Sequence, residues 1–190
     1  MTRNVSKSNL GSSVIFEDCL PLKVEPCAVA PETGELLRVG LLNDEALRMV
    51  LSLDDQVMSD KSDDERSGEF QRLEFKVNLI LDMLGELFAQ RVDFPETRAI
   101  KLGALFASWR LNEYDVIPDV GSYVSLSIYL TQRYPRPLVL FAQVSQVVED
   151  ESAAKWLEVA LLSMPQHSQD SLEKFVFRQH RRSIAFSRRK

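Results

Sequence analysis

An apolar stripe that begins at residue 70 constrains this chain more than any other feature of its sequence. Apolar residues recur there at intervals of 3, 4, 3, 4 and 3, at Phe70, Leu73, Val77, Ile80, Leu84 and Leu87. This is the a/d spacing of a helix that presents a seam to other helices. Four more apolar residues widen the stripe: Leu79, Leu81, Met83 and Phe88. So wide an apolar surface requires several neighbours, and we expect the helix to end near residues 91–93, ahead of Pro95.

The sequence pattern changes after Pro95. Short runs rich in apolar and β-branched residues predict strands at 99–106, 122–130, 138–148 and 155–162. Several strands in succession without intervening helices favour an antiparallel sheet that closes into a barrel or sandwich. A last helix is predicted over about residues 169–182, with Ser168 as its cap. We interpret Trp109 and Trp156 as packing residues in the core or at the rim of this barrel.

The region ahead of the stripe gives weaker signals. Pro21, Pro26 and Pro31 predict an extended stretch, with no long helix before Gly40. Asn43 is typical of a helix N-cap, and apolar residues follow it at helical spacing. Residues 54–69 contain seven acidic residues and little to bury, so they form either a polar connector or a solvated extension of that helix.

These features predict an α+β fold, in which an antiparallel β-barrel is preceded by a long heptad-bearing helix and closed by a C-terminal helix. We divide the chain into three parts. Residues 1–13 are a flexible leader, and residues 14–94 are an extended segment followed by a helical oligomerisation region. Residues 95–190 are the barrel with its C-terminal helix and a basic tail.

The seam of the heptad helix has two interpretations. Its six residues, from Phe70 to Leu87, form the core of a bundle between subunits, and the width of the stripe favours a tetramer over a dimer. Alternatively, the seam packs on the chain's own barrel and first helix, as most amphipathic helices do.

Composition excludes several classes of protein. With 45% hydrophobic residues the chain has enough apolar side chains for a real core, so it is not wholly disordered. It contains no run of 18 apolar residues that would predict a membrane span. Residues 1–13 lack the apolar segment of a secretory signal, which predicts a cytoplasmic protein. Cys19 and Cys27 are too few for a disulfide framework or a structural zinc site.

No catalytic constellation is evident. The seven glycines are scattered, so no glycine-rich phosphate loop is present. His167 and His180 are the only histidines, and neither lies beside a cysteine in the sequence. The acidic run Asp63–Glu65 lacks the spacing of a calcium loop and is interpreted as a solvated run. We therefore predict a protein that is not an enzyme and has no metal or other cofactor.

Charge is distributed unevenly along the chain. The net charge is −5, but residues 168–190 carry seven Lys and Arg against two acidic residues. A basic end on an acidic protein either contacts an anion or is a solvated terminus. Arg178 and Arg182 are four residues apart and share one helix face, a spacing that suits a phosphate. Together with Arg181 they form the candidate nucleotide-binding set.

Four segments resemble a known family. They are Phe16–Leu22, Arg72–Leu81, Pro137–Ala142 and Leu172–Arg182. Together they are similar to the atypical, tetramer-forming branch of the PilZ domain family, the bacterial cyclic di-GMP receptor domains. The resemblance covers about residues 14–185. It implies a PilZ-like barrel, self-assembly as a homotetramer, and a place in cyclic di-GMP signalling.

The chain departs from the ligand motifs of that family. Nucleotide-binding PilZ domains use an Arg-x-x-x-Arg pair ahead of the barrel and an (Asp/Asn)-x-Ser-x-x-Gly strand. The strand positions fall on Lys101, Gly103 and Phe106, which all differ from the pattern. Arg91 and Arg98 are seven residues apart instead of four. The resemblance therefore implies the fold and the signalling context rather than direct cyclic di-GMP binding.

Two functions remain open. The first is a non-catalytic adaptor in cyclic di-GMP-linked regulation, which binds other signalling, pilus or motility proteins. The second is a true cyclic di-GMP or nucleic-acid receptor that uses the basic C-terminal helix. The altered strand motif favours the first function, and the basic terminus favours the second.

Overall fold

The computed structural model describes residues 14–59, 68–89, 93–131 and 135–187. Its helices and strands follow one another in the order β1 (Phe16–Cys27), α1 (Thr33–Ser59), α2 (Gly68–Ala89), β2 (Thr97–Leu102), β3 (Phe106–Arg110), β4 (Tyr123–Ile128), β5 (Leu138–Glu149), β6 (Lys155–Leu161) and α3 (Gln166–Ser187). The expected leader, residues 1–13, lies outside the described residues. Among these residues, no helix has both the length and the apolar character that crossing a bilayer requires.

The six strands close into an antiparallel barrel in the order β1-β2-β3-β6-β5-β4. Alternate residues point inward, which is clearest on β4, where Val124, Leu126 and Ile128 are fully buried. Trp109 on β3 is also buried in this core, while Trp156 on β6 is half-buried. The helices α1 and α3 pack against the barrel and extend its core. The α+β barrel predicted from the sequence is confirmed.

β1 belongs to this barrel, although the sequence division placed it in the segment that precedes the barrel. Its first half pairs with β2, from Phe16 opposite Leu102 to Pro21 opposite Thr97. Its second half pairs with β4, from Leu22 to Cys27. The barrel therefore draws on both sides of the expected boundary at residue 95. Prolines weaken a strand signal because they cannot donate to the ladder, and Pro21 lies where β1 changes its partner.

The strand expected at 99–106 is wrong, because the structure divides this region between β2 and β3. Gly103 follows the last residue of β2, and its amide donates to the carbonyl of Phe106 at 2.9 Å. A Cβ atom at Gly103 would overlap the Phe106 ring, so any other residue at this position would require that ring to shift. The apolar run through Leu105 concealed the turn from the alternation pattern.

The first helix begins ten residues earlier than expected, at Thr33 instead of Asn43. Asn43 is therefore not a cap, and it lies inside α1 with its side chain buried. Its amide nitrogen donates to the Val139 carbonyl at 2.7 Å, and its Oδ1 accepts from the Val139 amide at 2.9 Å. This pair of hydrogen bonds fixes α1 against the start of β5.

Contact between α1 and α3 is close. Ser168 is the third residue of α3 rather than its cap, and its hydroxyl donates to the Gly40 carbonyl at 3.1 Å. At the other end of α3, the His180 Nδ1 donates to the Ile15 carbonyl at 2.8 Å. The Phe16 and Phe175 rings meet edge to face with centroids 5.4 Å apart. α3 therefore ties the N-terminal strand to α1 and closes the barrel.

α2 confirms the helix predicted from the heptad spacing. The acidic region 54–69 is helical at both of its ends, since α1 continues to Ser59 and α2 begins at Gly68. Residues 60–67 lie outside the described residues.

Candidate functional site

The seam of α2 is exposed in the isolated chain. Its six residues are between 43% and 59% exposed: Phe70, Leu73, Val77, Ile80, Leu84 and Leu87. The neighbouring apolar residues Phe75, Leu79 and Met83 are exposed as well. The seam therefore does not pack on the chain's own barrel and α1, which was one of its two interpretations. Exposed apolar surface on this scale marks an interaction site.

A second feature lies at the positions where the PilZ strand motif falls. The ammonium of Lys101 lies 4.5 Å from the centroid of the Trp156 ring. The indole nitrogen of Trp156 donates to Asp150 Oδ2 at 3.0 Å. Hydrogen bonds from Ser152 and Trp156 hold the pKa of Asp150 well below its usual range. Gly103 is buried under the half-buried Phe106 ring, as described above.

Next to Phe106, the turn between β2 and β3 and the outer face of α3 enclose an open groove of about 860 Å³. The walls of the groove are mainly apolar: Val14, Ala104, Leu105, Phe106, Val176 and Phe177. Three charged side chains of α3, Asp170, Glu173 and Lys174, complete its lining. The sequence analysis did not find this groove, since α3 and the turn come together only in the fold.

A network of polar side chains holds the connection between β3 and β4. The Arg98 guanidinium donates to both carboxylate oxygens of Asp115, and Nη2 also donates to Glu96 at 3.1 Å. The backbone amide of Asn112 donates to Asp115 Oδ2 at 2.8 Å. The guanidinium of Arg98 lowers the pKa of Asp115, and the Asp115 carboxylate raises the pKa of Arg98. The sequence analysis used Arg98 only to measure its separation from Arg91, and it did not predict this network. Arg91 lies outside the described residues.

The candidate nucleotide-binding arginines all lie on α3. Arg178 and Arg182 are half-buried, and each has an interaction partner within the chain. Arg181 is exposed, and its guanidinium lies 5.8 Å from the centroid of the Phe177 ring. The structure therefore places Arg181 beside the groove.

The described histidines and cysteines do not converge on one site. The exposed His167 lies in the first turn of α3, with Nε2 3.5 Å from Asp44 Oδ2. Cys19 is exposed on β1, and Cys27 is half-buried at its end. Partial burial and the nearby Glu35 and Glu25 carboxylates raise the pKa of Cys27. Within the described ranges, no three His, Cys, Asp or Glu side chains are arranged to hold a metal ion.

The comparison with protein families gives a clear match. A family model for the atypical PilZ domain, described as a cyclic di-GMP receptor, matches residues 47–189. The chain belongs to the atypical PilZ domain family. PilZ domains are non-catalytic receptor domains. The resemblance inferred from the sequence is confirmed, and the closed antiparallel barrel is its PilZ-like fold.

Solved structures give the same fold. A tetrameric PilZ domain from Xanthomonas campestris, a pathogenic protein self-assembled via an unusual helical bundle, shares 22% identity at a TM-score of 0.69 and matches over 92% of each chain. The inhibitor of motility from Bacillus subtilis shares 16% identity at a TM-score of 0.38, over 44% of this PilZ chain and 41% of the other. No curated protein matches the chain.

Proposed function

We propose that this PilZ domain is a non-catalytic adaptor in cyclic di-GMP-linked regulation, assembled as a homotetramer through α2. The observation that carries the proposal is the exposure of the whole α2 seam in the isolated chain. The adaptor presents several copies of its barrel to other signalling, pilus or motility proteins. The signalling context comes from the family to which the chain belongs.

The breadth of the apolar surface supports a bundle of more than two helices. A two-stranded coil covers only the a and d positions. Here Phe75, Leu79 and Met83, outside a and d, are also exposed. Burying such surface is worth about 25 cal/mol per Å², so further helices that cover these residues stabilise the assembly. The helical-bundle tetramer from Xanthomonas campestris supports the same mode of assembly for this fold.

The geometry at the motif positions supports an adaptor that does not use the usual nucleotide site. Lys101 lies on the Trp156 ring where the family motif has Asp or Asn. Phe106 covers Gly103, and a nucleotide has no close approach to that backbone. The neighbouring groove carries the carboxylates of Asp170 and Glu173, which repel phosphate groups.

The assembly is tested by changing the seam. We expect Ile80→Lys combined with Leu84→Lys to convert the tetramer to monomers, because four charged seams cannot be buried together. Mass is measured by light scattering. The control, Gln71→Lys with Asn78→Lys, adds the same two positive charges at b positions, opposite the seam on the same helix, and should remain tetrameric. Since Ile80 and Leu84 are exposed in the isolated chain, the barrel should keep its near-ultraviolet circular dichroism. Tetramers of the seam variant would contradict the assignment.

The nucleotide question is tested by calorimetric titration with cyclic di-GMP at two salt concentrations. We expect no binding heat at protein concentrations of tens of micromolar. The receptor alternative predicts binding that weakens steeply with salt and is lost when Arg178, Arg181 and Arg182 are changed to Gln. Its structural support is the exposed Arg181 beside two arginines on one helix face. Salt-sensitive binding that is lost in these arginine variants would contradict the adaptor function and support the receptor function.

A further inference from the structure

We propose that the groove between the β2–β3 turn and α3 is the surface on which the adaptor binds its partner, and that it takes an apolar protein segment bearing Lys or Arg. The inference rests on the proposed adaptor function and gives it a binding site. The lining of the groove contains no residue of α2, so assembly through α2 does not itself use this surface.

The apolar walls of the groove face solvent. Leu105 is 68% exposed at the tip of the turn, and Phe177 is 50% exposed on α3. Val14 adds a third exposed apolar side chain at the start of the described chain. Large apolar residues arranged around one concavity gain more from being covered than the same residues scattered on a convex surface.

The groove is formed before any partner binds. The turn is held by the hydrogen bond from the Gly103 amide to Phe106, and Leu105 accepts from the Leu161 amide at 2.9 Å. The Gln169 side chain on α3 donates to the Ala104 carbonyl at 2.9 Å and so ties the two walls together. A preformed site loses little conformational entropy on binding, which leaves more of the apolar gain as affinity.

The charge of the groove selects the partner. Asp170 and Glu173 are both exposed, and each accepts a hydrogen bond from a glutamine four residues earlier, Gln166 and Gln169 respectively. These bonds hold the carboxylates on the groove side of α3. Lys174 is the one cation in the described lining, so the lining itself keeps one negative charge in excess, and Arg181 lies outside it at the Phe177 edge. A Lys or Arg next to apolar residues complements this arrangement, whereas a phosphate does not.

The test uses the full chain and two fluorescein-labelled eight-residue peptides. One consists of leucines and lysines, and the other has glutamate in place of each lysine. Fluorescence anisotropy should show saturable binding of the lysine peptide and at least tenfold weaker binding of the glutamate peptide. Leu105→Ser and Phe177→Ser should each lower the affinity for the lysine peptide about tenfold. Asp170→Asn with Glu173→Gln should bring the affinities for the two peptides within about threefold of each other.

The matched control is Glu113→Gln with Asp119→Asn, which removes two exposed charges from the β3–β4 connection and should change neither affinity. Circular dichroism verifies that each variant is folded. Equal affinities for the two peptides, or groove variants that bind as well as the parent, would overturn the proposal.

Displacement by cyclic di-GMP would make the groove a nucleotide site, and loss of peptide binding as protein concentration rises would make a second copy its occupant. Light scattering on the same samples reports tetramer assembly separately, so a failure here is distinct from a failure of the α2 bundle.

Discussion

Asp115 holds the connection between β3 and β4 with a single carboxylate. Both of its oxygens accept from Arg98, and the side chains of this pair are only 16% and 17% exposed. Ion pairs in such settings are stabilising when their remaining hydrogen-bonding groups are satisfied, and here the Asn112 amide supplies a further bond. Tyr114 and Val116, on either side of Asp115, are almost fully exposed, so the polar network supplies the order here that burial does not.

Replacing Asp115 by Asn should lower the free energy of unfolding by about 1–3 kcal/mol at pH 7. The folded state lowers the pKa of Asp115, so its stabilisation is present above the ordinary Asp value and is lost as pH falls through the lowered value. The parent and Asp115→Asn should therefore converge as the pH is lowered below about 4. Urea unfolding at pH 7 and pH 3, at one protein concentration, measures this. Asp119→Asn is the exposed control, and a difference that persists unchanged at pH 3 would contradict the argument.

The two cysteines should react at different rates. Cys19 is exposed, whereas Cys27 is half-buried and its raised pKa lowers the fraction of thiolate at a given pH. Iodoacetamide at pH 7.5 should therefore alkylate Cys19 first, as followed by peptide mass spectrometry. The difference in rate should shrink toward pH 10 and disappear in denaturant. Equal rates in the folded protein at pH 7.5 would show that the environment of Cys27 is misassigned.

Single residues were the hardest level to predict from sequence. Asn43 has the local signature of a helix cap, but it bonds Val139 far along the chain. Leu105 has the signature of a strand residue and instead projects from a turn. Both errors arise because a local pattern contains no information on which distant segment comes alongside.

Among the elements, α2 was predicted best because its signal is internal to the helix. A 3,4 spacing of apolar residues specifies a helix whatever it packs against. β1 was predicted worst, since its pairing with β2 and β4 depends on segments 70 and more residues away. The seam of α2 shows the limit of pattern analysis in another way. Spacing identified which residues form the stripe, but only the fold showed that the stripe lies outside the chain's own core.

The crossing of α1 and α3 depends on Gly40. A Cβ atom there would lie 2.9 Å from the Pro165 ring and 3.0 Å from the Ser168 hydroxyl. Gly40→Ala should therefore lower the free energy of unfolding by a net of about 1–2 kcal/mol. This net value already includes the gain of about 1 kcal/mol in helix propensity. Gly34→Ala is the matched control, since no atom lies within 4 Å of its Cβ position, and it should be neutral or stabilising. Thermal unfolding compares the two variants, and equal stabilities would show that the helices adjust to the methyl group.

The whole molecule is a barrel with a helical insertion between its first two strands. β1 and β2 are neighbours in the sheet, and α1 and α2 lie between them in the sequence. Sequence analysis found the barrel and its closing helix. It placed the boundary at residue 95, where the strand-like sequence pattern begins, whereas the barrel begins with β1. The groove lay beyond its reach for the same reason, because it joins Val14, the β2–β3 turn and α3.

A chain truncated to residues 95–190 should therefore fail to fold. Without β1, both β2 and β4 become open edges, and the core loses Leu20 and Leu22. Far-ultraviolet circular dichroism and amide dispersion in nuclear magnetic resonance spectra should show an unfolded or aggregated species, in contrast to the full chain. Cooperative unfolding of the truncated chain would mean that five strands suffice.

The position of β1 also has a consequence for synthesis on the ribosome. β1 is synthesised before both of its partners, and the second of them, β4, is complete only at Ile128. At bacterial and eukaryotic elongation rates, roughly a hundred intervening residues take about 5–20 s to translate. During that interval the nascent strand is vulnerable to pairing with another polypeptide. Pro21 and Pro26, with Lys23 and Glu25 between them, are the residue types that discourage such pairing. We therefore expect the prolines that hid β1 from pattern analysis to protect it until the barrel can close.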